Sequence, residues 1–338
     1  MNNDNSGSNT AVAIIFNKKL FKLKIIMTYS NIFTKTCGAT LALLVSLLFA
    51  CTKEDLSDCG ILITFSNINH EAEFPKDLNK INLYVFDEQG LFVESYVNED
   101  IKSQQTASFK LQLPAGKYKM VAWGNLNEDY ILPKLEKGKS NISEATLSLK
   151  RENDKVTKRL SSLYHGHIVD VVVSGNGGRV ENNIELMNDA NAFHITIKGL
   201  PMADGATAEE VAKQHPIHIT DNNGDYKFDN SLATTKPITY IPAYSVKDKS
   251  IIIETTVLRL FEKGATTLVL EAENVARAHS RMDWNLVDLI LKSDKIKDQN
   301  GLDRCDYYDI EITIDDSTNT TATIKVNGWV VFNISEEI

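Results

Sequence analysis

The stretch SFKLQLPAGKYKMVAWGN, residues 108–125, alternates apolar and polar side chains on both sides of a short turn. Phe109 and Leu111 point to one side of an extended chain, because successive side chains of a strand alternate between its two faces. Pro114-Ala115-Gly116 has the composition of a turn, and Lys117–Trp123 then alternates again. The stretch therefore predicts a strand, a tight turn and a second strand.

The same alternation recurs through the chain from residue 60 onward. Ile81–Phe86 and Leu91–Val97 flank an Asp-Glu-Gln-Gly turn, and Ile168–Val173 and Val180–Met187 flank a glycine-rich turn, so each pair predicts a hairpin. Further strands are predicted at Ile61–Phe65, Asn141–Lys150, Phe193–Ile197, Ile217–Thr220, Tyr226–Phe228, Ile238–Pro242, Ile251–Leu260, Thr266–Glu273, Tyr307–Ile314 and Thr321–Val326.

Helical signal is confined to two short segments, Thr207–Gln214 and Trp284–Leu291. Many short strands without alternating long helices predict antiparallel sheets packed face to face. Asn188-Asp189-Ala190 is a natural break between two groups of strands. We therefore predict an all-β protein with two tandem β-sandwiches, residues 61–189 and 190–338.

An uncharged apolar run, CGATLALLVSLLFA at residues 37–50, precedes the strands. It is shorter than the roughly 20 residues that a transmembrane helix needs, and with Lys35 before it the run is typical of a signal peptide. We assign residues 1–50 to this signal region, with Met27 as an alternative start. An ordinary signal peptide cut near Ala50, or a short membrane anchor, are the alternatives to a lipoprotein signal.

The apolar run ends Leu48-Phe49-Ala50-Cys51, which resembles the lipobox of bacterial lipoproteins, although Phe49 is bulkier than the usual residue there. The resemblance implies acylation of Cys51 and a lipidated tether over residues 51–60. Thr52–Asp55 is polar and acidic and resembles the export tag of Bacteroidetes lipoproteins that reach the outer face of the outer membrane. A solvated tether would have the same composition.

The net negative charge of the chain argues against a nucleic-acid partner. The chain carries 36 Lys and Arg against 45 Asp and Glu, and without residues 1–50, which hold five Lys and one Asp, the balance is −13. Such a chain would not neutralise phosphates in bulk, so we expect no nucleic-acid partner. It would be held at a membrane by acyl chains and not by attraction to anionic lipid.

Four Cys in 338 residues do not form a disulfide scaffold. Besides the two Cys of the signal region and lipobox, only Cys59 and Cys305 remain. An oxidising envelope would permit a bridge between them, but nothing in the sequence places them close together.

Several short motifs have both a chemical and a structural interpretation. His165-Gly166-His167 would place two imidazoles on one face of a strand, as some zinc sites do, or is a polar segment around a glycine. Asp221–Asp225 has the composition of a calcium loop, but Leu232 stands where the bidentate Glu would be, and a hairpin turn explains it as well. We therefore predict no metal site and no cofactor.

Trp123, Trp284 and Trp329 could form a platform for a sugar, but each lies in or beside an apolar stretch, which favours the core. No nucleophile elbow and no pair of acid and base residues can be named. We therefore predict that the protein is not an enzyme.

The whole pattern resembles a known family. LYVFDEQGLFV (residues 83–93), LPAGKYKMVAWGN (113–125) and IELMNDANAFHITIKGLP (184–201) follow the lipobox, and Gly328-Trp329 lies near the end. In this order they resemble the FimB-type fimbrial anchor subunits of Bacteroidetes, the lipoproteins associated with type V pili. Gly60 departs from the Pro that many members carry there.

The resemblance implies two transthyretin-like β-sandwich domains, outer-membrane anchoring at the cell surface, and pilin subunits as partners. In stalk subunits of the family a surface protease cuts after Arg and opens a groove for a donated strand. Here no Arg lies between Cys51 and Lys150, so we expect the first strand to stay attached and fill its own groove.

Pairing of a strand with an open sheet edge would supply the contact to the next subunit. Val330–Ile334 is a candidate donor strand or the last strand of the second sandwich. The alternatives to an anchor are a pilus-tip adhesin and a surface glycan-binding lipoprotein.

Overall fold

The computed structural model describes residues 60–69, 74–101, 107–175, 177–274, 277–314 and 322–333. The strands are, in chain order, β1 Gly60–Asn67, β2 Ile81–Asp87, β3 Phe92–Asn98, β4 Ser108–Leu111, β5 Gly116–Gly124, β6 Tyr130–Ile131, β7 Thr146–Leu149, β8 Lys155–Val156, β9 Tyr164–Val173, β10 Arg179–Asn188, β11 Ala190–Lys198, β12 Ile217–Asp221, β13 Asp225–Lys227, β14 Ile238–Tyr240, β15 Ala243–Lys247, β16 Ser250–Leu258, β17 Thr267–Asn274, β18 Arg277–Asn285, β19 Tyr307–Ile314, β20 Ala322–Val326 and β21 Trp329–Asn333. The helices are α1 Ala208–Gln214, α2 Leu286–Leu291 and α3 Gln299–Asp303. The all-β class is confirmed.

The first sheet has seven strands in the order β3-β2-β5-β9-β10-β1-β4. It folds over on itself, because β9 and β10 pair only where Tyr164–Gly166 meets Leu186–Asn188, and then separate. Strand β9 pairs with β5 from Tyr164 to Val173, and β10 pairs with β1 from Arg179 to Leu186. One apolar core, which includes Ile63, Leu83 and Met120, lies between the two layers.

One of the two predicted hairpins is wrong in its pairing, and the two strands predicted around Pro114-Ala115-Gly116 exist but do not pair with each other. β4 pairs with β1 and not with β5, and β9 and β10 pair at the end remote from their turn. In both cases the turn carries the chain from one layer of the sandwich to the other. Alternation reveals that a segment is a strand, but it does not reveal the partner. The β2–β3 hairpin is confirmed.

The second group of strands forms a six-stranded sheet, β15-β16-β11-β19-β20-β21, and a five-stranded sheet, β18-β17-β12-β14-β8. Alternate residues of their strands, such as Ile195, Ile310 and Leu268, share one core. Helices α1 and α2 confirm the two helical predictions. Thr207 caps α1 in a capping box with Glu210, whereas the short α3 was not predicted.

Strand pairing crosses the break predicted at residue 189. β10 ends at Asn188 and β11 begins at Ala190, but β7 pairs with β13, and β8 pairs with β14. Sheets therefore join strands from both sides of the break, and the division into domains 61–189 and 190–338 stays a prediction. Three pairs, β1–β10, β11–β19 and β14–β8, are parallel, where only antiparallel pairs were expected.

Candidate assembly surfaces

The first strand lies in the interior of its sheet. All eight residues of β1 pair with β10 on one side, and Ile61–Thr64 pair with β4 on the other. Ile61, Ile63 and Phe65 are buried in the core. Strand β1 therefore completes the sheet of the chain to which it belongs.

Arginine is absent from the part of the chain that joins β1 to β4 and β5. The first Arg of the sequence is Arg151; its side chain is only 11% exposed, and its Nη2 donates to Asp225 Oδ2 at 2.7 Å. Arg159, with a side chain 57% exposed and paired to Glu254, lies far beyond β5. An Arg-specific protease would therefore find no site between β1 and β4, although Arg151 and Arg159 lie between β1 and its other neighbour, β10.

The last strand, in contrast, lies at an edge. Strand β21 pairs only with β20 in the described part of the chain. Asn327 and Gly328 have φ values of 48° and 84°, as a two-residue type I′ turn requires. Because Val326 and Trp329 close this hairpin, the next residue, Val330, directs its backbone N–H and C=O away from β20.

Strand β21 is protected less than the other edges, by a bulge where its pairing with β20 shifts register between Ile324 and Lys325. Its sequence WVVFN has no charge, and Trp329 and Val330 are 46% and 58% exposed. Charged residues, short length and covering loops discourage pairing at a sheet edge. Strand β4 has four residues including Lys110, and β15 ends at Lys247.

Strand β3 is partly covered. Its Phe92 N–H donates to Ser140 O at 2.8 Å, and its Phe92 carbonyl accepts from Gly138 N at the same distance. Glu94 adds a charge further along. Among the edge strands of more than two residues that the structure describes, which include the nine-residue β18 with Arg281 and Asp283, β21 is therefore the one without a charged side chain.

The motif DYKFDN, residues 225–230, joins the two groups of strands. Phe228 is buried against Tyr84 and Trp123, with ring centroids 5.1 and 6.3 Å apart. Its carbonyl lies 3.0 Å from His165 Nε2. Burial lowers the pKa of His165 to about 3, so the imidazole is neutral and belongs to the packing.

The partner histidine, His167, is on the surface, with Nδ1 3.2 Å from Glu185 O. The two rings lie 5.7 Å apart. In the described ranges no three His, Cys, Asp or Glu side chains come together as a metal site would require. Nor does any helix there have the length and apolar character to span a bilayer.

A buried ionic network lies beside the same motif. Arg259 Nε and Nη2 donate to the two carboxylate oxygens of Asp303 at 2.9 and 2.8 Å, and its Nη1 donates to Asn230 O at 2.9 Å. Asn230 Nδ2 donates to Asp189 Oδ1 at 3.0 Å. Burial raises the pKa of Asp189 to about 7. The network therefore ties the link between β10 and β11 to the end of β16 and to α3.

The carboxylates of the candidate calcium loop, Asp221–Asp225, bind different protein side chains and do not converge on one site. Asp221 Oδ2 accepts from Thr266 Oγ1 at 2.5 Å, and burial raises its pKa to about 6. Asp225 instead accepts from Arg151 and Thr234. The two carboxylates thus serve different structural partners.

The three tryptophans do not share one environment. Trp123 is fully buried, as predicted, and Trp284 is half-buried. The prediction is wrong for Trp329, which is 46% exposed. A platform built from all three side chains is therefore not formed.

Cys51, the predicted site of lipid attachment, and the disulfide candidate Cys59 lie outside the described residues. Cys305 is a free, half-buried thiol, whose Sγ donates to Tyr307 O at 3.3 Å, and burial raises its pKa. The neighbouring Arg304 donates to Ile68 O, just beyond the end of β1 opposite to Gly60. The bridge between Cys59 and Cys305 stays a prediction.

Comparison with known proteins gives concordant matches. The model of the family described as Fimbrillin-A associated anchor proteins Mfa1 and Mfa2 matches residues 56–335. The minor fimbrium anchoring subunit Mfa2 of Porphyromonas gingivalis is 23% identical over 304 residues, which cover 84% of this chain and 90% of that protein.

Solved structures have the same fold. A putative polysaccharide-binding protein of Bacteroides thetaiotaomicron is 26% identical, with a TM-score of 0.70 over 82% of this chain and 99% of that one. The fimbrial anchor protein Mfa2 of P. gingivalis is 20% identical and has a TM-score of 0.66, over 81% of this chain and 99% of that one. A putative adhesin of Bacteroides ovatus is 21% identical and has a TM-score of 0.68, over 82% of this chain and 96% of that one.

Proposed function

Because the chain belongs to the family of Fimbrillin-A associated anchor proteins Mfa1 and Mfa2, we propose that it anchors a fimbrium to the outer membrane. In this role acyl chains on Cys51 hold the protein at the cell surface, and a pilin subunit pairs with one of its sheet edges. The protein acts without catalysis and without a cofactor.

The observation that carries the proposal is the interior position of β1. A subunit whose first strand stays in place has no open groove there for a donated strand, so it does not extend a polymer at that point. The absence of Arg between Cys51 and Lys150 keeps the strand attached. Both features favour a subunit that terminates the fibre and remains joined to its lipid.

The proposed contact to the next subunit is the edge of β21. Main-chain hydrogen bonds along a free edge supply affinity, and alternating side chains supply register. Val330 offers an outward N–H and C=O, and Trp329 and Val330 offer apolar surface.

Proline substitution tests this edge directly. Val330→Pro removes the outward N–H without removing a hydrogen bond to β20, and proline is tolerated at such edge positions. We expect the variant to fold and to lose binding to pilin in a pull-down from the same bacterium. Wild-type binding by a folded Val330→Pro variant would contradict the proposed edge.

A matched control exists at the opposite edge of the same sheet. Asp248 and Lys249 also have positive φ and form the two-residue turn between β15 and β16. Val246, paired with Ile251, therefore holds the same position in its hairpin as Val330 does in its own. Val246→Pro should leave pilin binding unchanged. If it abolishes binding instead, β15 is the contact.

A tip adhesin remains the second candidate, because putative adhesins share the fold. Immunogold labelling of intact fimbriae separates the two roles. Label at the cell-proximal end is expected of an anchor, and label at the distal end would assign the protein to the tip.

A further inference from the structure

Strand β1 begins at a well-defined end of the seven-stranded sheet. Gly60 is opposite Arg179, and its N–H donates to Gly178 O at 3.4 Å. Leu111, opposite Ile61, ends β4 at the same place. We call this region, with the turn residues 88–90, 112–115, 174–175 and 177–178, the Gly60 end.

The pairing register brings these turns together. Gly116 is opposite Val173, and Tyr118 is opposite Asp87. A Cβ placed on Gly175 would lie 3.7 Å from the Cβ of Ala115. The turns between β2 and β3, β4 and β5, and β9 and β10 therefore form one surface, at the end from which the tether departs.

The tether is short relative to the sheet. Nine peptide steps separate Cys51 from Gly60. A flexible segment of that length has a root-mean-square span of about 17 Å and a maximum of about 32 Å. Strand β1, with eight residues, is about 25 Å long. The remote end of the sheet could reach a membrane only if the tether were drawn out alongside β1, which costs conformational entropy.

The Gly60 end is electrically neutral on a strongly acidic protein. In residues 60–62, 86–90, 110–119 and 170–181 there are four basic and four acidic side chains, whereas the chain after residue 50 has a balance of −13. The basic residues are Lys110, Lys117, Lys119 and Arg179, and the acidic residues are Asp87, Glu88, Asp170 and Glu181. Three ion pairs, Lys117–Glu88, Lys119–Asp170 and Arg179–Glu181, neutralise most of them locally.

The tips of two turns add uncharged, exposed surface. Pro114, Ala115 and Gly175 are exposed, and Val172 is 60% exposed beside them. An anionic lipid surface repels acidic protein surface, so a neutral end with small apolar tips is the part of this chain that approaches lipid headgroups at least electrostatic cost.

We propose that the Gly60 end lies against the lipid surface of the outer membrane, with the β4–β5 and β9–β10 turns at the headgroups. The proposal rests on the lipid attachment at Cys51 that is part of the proposed function. This contact would fix the orientation of the anchor. The opposite end of the sheet, where β5 ends at Gly124, would then face away from the membrane.

The test places one fluorophore at each end of β5 in the full-length, lipidated protein. Ala115→Cys lies at the Gly60 end, and Glu128→Cys lies in the exposed loop after β5 at the opposite end. Both are made in a Cys59→Ser, Cys305→Ser background, purified from a Bacteroidetes host and inserted into phosphatidylethanolamine–phosphatidylglycerol vesicles. A nitroxide on the lipid headgroup is the quencher.

We expect quenching at position 115 and none at position 128. Equal quenching at both positions, or quenching at 128 alone, would overturn the orientation while leaving the lipid anchor intact. Mass spectrometry of the same sample reports on Cys51 separately. A protein without acyl chains that fails to float with the vesicles would overturn the orientation and the anchoring together.

Discussion

Strands β1 and β21 are alike in composition and opposite in environment. GILITFSN and WVVFN are both uncharged and rich in β-branched and aromatic residues. Strand β1 has neighbours on both sides and a buried face, whereas β21 has one neighbour and exposes Trp329 and Val330. The difference shows that composition qualifies a segment as a strand, while topology decides whether that strand closes a sheet or leaves an edge open.

The largest expected effect comes from a charge in the middle of β1. Ile63 is fully buried, and Ile63→Asp would place an unpaired carboxylate in the core, at a cost of about 4 kcal/mol or more in unfolding free energy. We expect loss of folded protein from the cell surface. Ile63→Val is the control and should cost only about 1 kcal/mol in urea unfolding. A folded Ile63→Asp protein of wild-type stability would mean that β1 is dispensable.

The ionic network ties together the sheets that hold β1 and β21. Arg259→Met leaves the carboxylate of Asp303 buried without its cation, and should lower the unfolding free energy by about 3 kcal/mol. Adding Asp303→Leu should restore part of that loss, because an apolar pair replaces the broken ion pair. If urea unfolding finds the double variant less stable than Arg259→Met, Asp303 has another role.

The pH dependence of the unfolding free energy should also reveal the raised pKa of Asp189. Its folded pKa of about 7 exceeds the unfolded value of 3.8, so the folded state retains a proton that the unfolded chain loses between these values. The unfolding free energy therefore falls as pH rises from 4 to 7, with a slope of up to about 1.4 kcal/mol per pH unit.

Asp189→Asn removes this contribution and keeps an oxygen for Asn230. The stability of the variant relative to wild type should increase from pH 4 to pH 7 in urea titrations and then level off. Comparison with wild type cancels the opposite dependence from His165, whose lowered pKa costs stability as pH falls through 6.5. A difference independent of pH would show that Asp189 ionises normally.

The smallest effect on the unfolding free energy is expected from a charge on the edge strand β21. Val330 is 58% exposed, so Val330→Asp should change the unfolding free energy by no more than about 0.5 kcal/mol. The same change of residue type is thus severe in β1 and mild in β21. A large loss of stability at Val330 would mean that β21 is part of the core and is not a free edge.

The sequence predicted most strands, two helices and the candidate Val330–Ile334 strand, because period-two alternation and cap residues are local signals. It did not predict that β4 pairs with β1, since partners depend on contacts distant in sequence. The Arg259–Asp303 and Arg151–Asp225 pairs have no local signal, being 44 and 74 residues apart. Exposure of Trp329 could not be inferred from its apolar neighbours, which also suit an edge strand.

The measurement that tests the central claim most directly is the mature amino terminus of the native protein. Mass spectrometry of membrane and surface-shaved fractions from a Bacteroidetes host should find an acylated Cys51 on a chain that retains β1. A chain that begins after β1 would contradict the account, because its sheet would then be open and the protein would be a polymerising or tip subunit.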